Sequence, residues 1–181
     1  LATPSTGDFT IDYSCRFNDD DSAYLSKTPA GAGNLRTWTW SGWIKRGNLV
    51  SNTSLFGKAY GTGDWGQILI ESDKLELRHY ADGGYNITMI TTQLFRDVGA
   101  WYHIVVAVDT EQGVEANRVK IYVNGSQVTA FDTATYPTED MDTIINSAGL
   151  HQIGRQGSLD RYWDGYLAEV HHIDGTQLTP S

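Results

Sequence analysis

The chain has 181 residues, enough for one compact domain with a real interior, and its 40% hydrophobic against 19% charged content excludes a disordered chain or a charged helical rod. Thirteen Lys and Arg against 22 Asp and Glu leave a formal charge of −9, which repels phosphate backbones and anionic lipid surfaces and excludes nucleic acid as a natural partner. The single cysteine, Cys15, allows no intrachain disulfide, and no run of about 18 apolar residues is available for membrane insertion.

Residues 1–13 read as an extended arm ahead of a single domain over residues 14–181. The opening Leu1-Ala2-Thr3-Pro4-Ser5 and the ending Leu178-Thr179-Pro180-Ser181 read as the ends of a segment of a longer polypeptide. Cys15 precedes Arg16-Phe17 in a first strand and is expected to be a buried small apolar residue. Asn18-Asp19-Asp20-Asp21 is the densest acidic run, a tight soluble turn before Ala23-Tyr24-Leu25. Ca²⁺ takes six to eight oxygens, so Asp19 and Asp21 are also calcium candidates.

Thr37-Trp38-Thr39-Trp40-Ser41-Gly42-Trp43-Ile44-Lys45 alternates with period two, which puts Trp38, Trp40 and Ile44 on a core face and Trp43 and Lys45 on the opposite one. Further strands are predicted at 54–58, 67–71, 74–80, 86–92, 101–109, 118–124, 127–131, 151–155 and 166–173, none with a helical apolar stripe. Val119 to Val123 followed by Asn124-Gly125 and Ser126 is a hairpin signal, because a type I′ turn needs positive φ at both central residues. Asp82-Gly83-Gly84, Asp164-Gly165 and Asp174-Gly175 mark further turns, while 109–117 and 131–149 are the longest irregular stretches. This spacing of strands and turns predicts an all-β fold, an antiparallel β-sandwich or jelly roll.

Several patterns that carry chemistry fail on inspection. Gly61-Thr62-Gly63-Asp64-Trp65-Gly66 matches G-x-G-x-x-G, but a strand and not a helix follows it, so no pyrophosphate site is expected. A Glu-x-Asp-x-x-Glu strand is absent, and Glu139-Asp140-Met141-Asp142 has the wrong spacing for paired catalytic carboxylates. Glu71 with Asp73 and Glu76, or Glu76 alone with Glu169, can still pair in three dimensions, although surface charge explains them equally. The five histidines, His79, His103, His151, His171 and His172, show no zinc spacing; adjacent His171 and His172 point to opposite faces of a strand. Asn52, Asn86 and Asn124 begin glycosylation sequons, which only a eukaryotic secretory route would use.

The aromatics outside the core pattern are the strongest pointer to a ligand. Sugar C–H faces stack on Trp and Tyr while short polar side chains fix the hydroxyls. Tyr60, Asp64 and Trp65 fit this in one loop, Tyr80, Asp82, Tyr85 and Asn86 around another, and Arg161, Tyr162 and Trp163 near the C-terminal hairpin.

The Thr37 to Lys45 strand resembles the "FTISAWVK" strand of laminin-G-like and pentraxin-like domains of the concanavalin A-like lectin/glucanase superfamily. Ser54-Leu55-Phe56-Gly57, Trp101 to Val106, Lys120 to Gly125 and Trp163 to Val170 fit the same pattern in order, with Trp163 at the family's core Phe position. The ending from Asp164 to Ser181 is similar to versions common in bacteriophage virion proteins, though Ala168 stands where the commoner cellular pattern has an acidic residue. The resemblance implies two curved antiparallel sheets, with ligands meeting the concave face or the rim loops. It also implies a tail-fibre, appendage or decoration module at the virion surface. The expected role is a non-catalytic, lectin-like glycan binder; the alternatives are an assembly module contacting other virion subunits and, third, a glycan-cleaving enzyme of the same fold, and the family context implies a homo-oligomer.

Overall fold

The computed structural model describes residues 11–58, 63–157 and 161–180. The arm expected at 1–13 therefore lies largely outside the described residues; Tyr13, at its end, is 88% exposed and has no regular structure.

Among the described residues thirteen strands follow one another: β1 (Cys15–Phe17), β2 (Leu25–Lys27), β3 (Thr37–Arg46), β4 (Thr53–Lys58), β5 (Trp65–Glu71), β6 (Lys74–Ala81), β7 (Gly84–Leu94), β8 (Tyr102–Asp109), β9 (Val119–Val123), β10 (Ser126–Gln127), β11 (Phe131–Thr135), β12 (His151–Ile153) and β13 (Gly165–Asp174). A single 3₁₀ turn at Glu115–Asn117 is the one helical element among the described residues. The strands form a six-stranded sheet in the order β1-β13-β3-β8-β9-β10 and a seven-stranded sheet in the order β11-β7-β6-β5-β4-β12-β2. Every pairing is antiparallel, as the predicted sandwich requires.

Alternation decides which side chains meet between the layers. Trp38, Trp40 and Ile44 of β3 are fully buried and face Ile68 and Ile70 of β5, Leu75 and Leu77 of β6, and Ile87 and Met89 of β7 in one core cluster. The Trp40 ring stacks on Phe56 of the other sheet with centroids 6.3 Å apart. Gly42 occupies an inward position of β3 because the Trp40 indole lies over it; a Cβ there would come within 3.1 Å of the ring. Trp163 is buried to 1% exposure, as its core position implies.

The turns agree with their chemistry. Asn124 and Gly125 have φ of 50° and 80°, and Ser126 pairs with Val123, the geometry of a type I′ hairpin. Asp82 and Gly83, at 54° and 79°, make the same kind of connection between β6 and β7.

Three expectations are corrected. The strand predicted over 127–131 is two strands in different sheets: β10 pairs with β9, and β11 pairs with β7. Val128 still bonds Ile121 and Thr92 already bonds Ala130, so the chain crosses between layers within those few residues. The stretch 131–149 is not wholly irregular, because it opens with β11. Cys15 is exposed and not buried, since it begins a three-residue edge strand that pairs only with β13.

Candidate functional site

β5, β6 and β7 lie side by side, and their registers fix what the outer face of the seven-stranded sheet carries. Ile68, Ile70, Leu75, Leu77, Ile87 and Met89 face the core, so Trp65, Gln67, Leu69 and Glu71 of β5 face outward. Trp65 pairs with Tyr80, Gln67 with Arg78, Leu69 with Glu76 and Glu71 with Lys74. Across the next seam Tyr80 pairs with Tyr85 and Arg78 with Thr88. The outer face therefore begins with a row of three aromatics and continues into a polar layer.

The aromatic row is closely built. Trp65 and Tyr80 stack with ring centroids 5.9 Å apart and planes 11° from parallel. Tyr85 meets both edge-on, at 5.7 Å from Trp65 and 5.3 Å from Tyr80. Tyr85 is 54% exposed, while Trp65 and Tyr80 are half-buried, so ring surface faces solvent. The Asp82 amide donates to an Asp64 carboxylate oxygen at 3.3 Å, which ties the β6–β7 turn to the segment leading into β5. The two clusters read separately from the sequence thus lie together as one candidate cluster of Asp64, Trp65, Tyr80, Asp82 and Tyr85.

Two of the expected residues stand apart. Tyr60 lies outside the described residues. Asn86 is skipped by the β6–β7 register at a bulge, and its buried side-chain oxygen lies beside the His79 ring and not on the aromatic face. Of the third aromatic group, Trp163 is core, and Tyr162 stacks on the Arg155 guanidinium at 5.0 Å beside Tyr24.

Behind the aromatics, Arg78 bridges Glu71 at 2.5 Å and Glu76 at 2.6 Å. Burial pushes the Glu76 carboxyl up to about 7, against the pull of Arg78. Gln67 is completely buried, and neither atom of its amide finds a partner among the described residues. Inspection of the residues one by one missed Gln67 and Arg78. Carrying the alternation of β5 and β6 past Trp65 and Tyr80 finds both on the same face. Glu71 and Glu76 do meet, but through a shared arginine, and the Glu76 side chain is only 4% exposed.

Asp19 and Asp21 belong to the turn between β1 and β2. Asn18 donates its amide to Asp21 at 2.7 Å, the Asp20 amide donates to Asp19 at 3.1 Å, and Ser22 and Ala23 close the turn onto Asp19 and Asn18. Among the described residues no group of three His, Cys, Asp or Glu side chains converges as a metal site. The turn's own hydrogen bonds engage one carboxylate oxygen of Asp19 and one of Asp21.

Comparison with known proteins gives the family. A laminin G family model, described as the concanavalin A-like lectin/glucanases superfamily, matches residues 18–180. The chain belongs to that superfamily. No curated protein sequence matches it. Among solved structures, domain 4 of AbnA, a GH43 extracellular arabinanase from Geobacillus stearothermophilus in complex with arabinotriose, is similar at 16% identity and a TM-score of 0.58, over 96% of this chain and 87% of that one. The native heptameric SAP-like pentraxin from Limulus polyphemus is similar at 18% identity and a TM-score of 0.57, over 82% and 68%. Domains LG4-5 of the mouse laminin α1 chain are similar at 15% identity and a TM-score of 0.62, over 91% and 41%, so the chain spans well under half of that fragment. At these identities the likeness shows the concanavalin A-like fold. No helix among the described residues is long and apolar enough to cross a membrane.

Proposed function

We propose that this concanavalin A-like domain is a non-catalytic, lectin-like module that holds a host-surface glycan against Trp65, Tyr80 and Tyr85, displayed extracellularly on a phage virion. The observation that carries the reading is the convergence of three rings from three strands, with Asp64 and Asp82 joined at their edge. A flat indole with one phenol ring parallel to it and another perpendicular suits a sugar's C–H face, and adjacent carboxylates suit its hydroxyls. A neighbour of the same fold solved with arabinotriose supports a saccharide ligand. The virion setting is supported by the phage-like ending from Asp164 to Ser181.

The absence of catalysis is argued from Glu76. A general acid must reach the glycosidic oxygen, and a carboxyl 4% exposed and held by Arg78 does not. A glycan array probed with the 181-residue chain and with Trp65→Ala tests the reading. The expected result is a defined set of neutral glycans whose signal falls at least about tenfold in the variant, corresponding to about 1.4 kcal/mol. No glycan signal, together with an oligomer that buries Tyr85 against a second chain over about 1,000 Å² or more, makes this an assembly module instead. Release of reducing sugar from a bound glycan ends the non-catalytic reading.

A further inference from the structure

The opposite side of the sandwich carries a second concavity that the aromatic row does not use. It is a groove of about 550 Å³ on the outer face of the six-stranded sheet, within the size range of small-molecule sites. Its floor is Ser41 and Trp43 of β3 with His103 and Val105 of β8. Trp43 pairs with His103, and their rings stack with centroids 5.0 Å apart and planes 29° from parallel, so the imidazole braces one face of the indole. Trp101, 36% exposed, forms the wall at one end, with Tyr166 at 6.3 Å behind it.

Both side walls are held in place. Thr39 donates its hydroxyl to the Thr176 carbonyl at 2.7 Å and accepts from the Leu178 amide at 2.8 Å. Gln177 donates to the Asn117 carbonyl at 2.9 Å, so the C-terminal segment is fastened across the sheet as a wall. Opposite it, the Asn124 side-chain oxygen accepts from the His103 amide at 2.8 Å and locks the Asn124-Gly125 turn. A groove built this way needs no reordering to accept a ligand.

Its chemistry selects an uncharged one. Not one of the twelve lining residues is Asp, Glu, Lys or Arg, in a chain of net charge −9. Burial holds the His103 imidazole below its ordinary pKa, and so neutral at neutral pH. A charged ligand would lose its hydration here without gaining a counter-charge, whereas hydroxyl groups can bond Ser41, His103 and Asn124 while ring C–H faces lie on Trp43 and Trp101.

We propose that the Trp43–Trp101 groove is a second binding site, for the ring of a neutral saccharide, on the face opposite the Trp65 row. Two sites facing opposite ways engage two separate glycan chains, so the domain acts as a cross-linker.

The test is a titration of the isotope-labelled 181-residue chain with arabinotriose, cellotriose and maltotriose. The indole N–H signals are followed by NMR after assignment with Trp43→Phe and Trp101→Phe. At least one of the three probes is expected to shift the Trp43 and Trp101 signals saturably, in the Trp65→Ala variant as well. Trp101→Ala is expected to weaken that response by about tenfold while the spectrum keeps its native dispersion. The proposal is overturned if none of the three moves Trp43 or Trp101, if they move only when the Trp65 row is intact, or if the groove proves to be a self-association surface that Trp101→Ala disperses. Because each face has its own reporter indole, loss of the Trp65 response alone overturns the reading of that row and the cross-linking that rests on it, and leaves the groove standing as a single site.

Discussion

Asp73 sits in the turn between β5 and β6 with a positive φ of 65°, a conformation that costs a non-glycine residue energy unless its side chain is well used. Its carboxylate is well used. One oxygen accepts from Arg46 at 2.8 Å and the other from Arg96 at 2.7 Å, while its carbonyl accepts from the Phe95 amide. Arg46, only 1% exposed, also donates to the Phe95 and Val50 carbonyls, so one buried guanidinium ties the end of β3 to two loops of the opposite sheet. Removing the carboxylate leaves that guanidinium buried without its counter-charge. Asp73→Ala is accordingly expected to lower unfolding stability by about 3 kcal/mol, measured by urea denaturation; a change under about 1 kcal/mol would mean the carbonyls alone satisfy Arg46. The Arg46 hydrogen bond, with Arg96 second, holds the Asp73 carboxyl below the usual carboxylate range. Its contribution is therefore present above the unfolded carboxylate pKa of about 4 and is lost only as pH falls through the lower, folded value.

At the scale of elements, the segment 143–150 is fastened by neutral imidazoles. The Ile144 amide donates to His79 Nε2 at 3.0 Å, and the Asn146 amide donates to His151 Nε2 at 3.3 Å while His151 Nδ1 donates to the Gly149 carbonyl. His172 Nε2 donates to the Asn146 side chain at 3.1 Å, and that side chain also reaches Asp174. Burial holds all three rings below the ordinary histidine pKa, His172 down to about 4, with Lys58 adding to the effect at His79 and His151. A ring that resists protonation when folded but accepts a proton at about 6.5 when unfolded costs stability as pH falls below 6.5, and the loss levels off only below the folded pKa. Glu76, raised to about 7, gains stability as pH falls over the same window, so the drop is read in Glu76→Gln, whose thermal midpoints are expected to fall between pH 7 and pH 4.5, before Asp73 begins to titrate. His151→Gln keeps an acceptor for Asn146 without a titrating ring and should flatten that slope; an unchanged slope would clear His151 of the effect. None of this was legible from sequence, where His79 and His151 look like ordinary strand residues, because their partners come from a loop more than sixty residues on in one case. What was legible follows the same logic. β3 and the β9–β10 hairpin bury every second residue or carry a diagnostic turn, whereas β2 and β11 are edge strands with hardly a buried side chain and so leave no period to read. The rings of the aromatic row stand out one at a time, but Gln67 and Arg78 join them only through the β5–β6 register, and Trp43 meets His103 only through that of β3 and β8.

For the whole molecule, the balance of −9 separates the two readings of the aromatic row. Around the row the fixed charges are carboxylates at Asp64 and Asp82, and the nearest arginine on that face, Arg78, is already engaged by Glu71 and Glu76. A neutral sugar held by stacking and hydroxyl bonds has no net charge for this field to act on, so raising the salt changes little on either side of the equilibrium. A protein partner chosen by electrostatic fit to an acidic surface would be cationic, and its association would weaken as the Debye length shrinks from about 10 Å at 0.1 M to about 3 Å at 1 M. Titration calorimetry of a bound trisaccharide at about 0.05 M and about 0.5 M NaCl is therefore expected to give affinities within about twofold of each other, with Trp65→Ala weakening both equally. An affinity that falls tenfold or more with salt would show that the surface recognises positive charge, and the row would then belong to a contact between virion subunits and not to a glycan site.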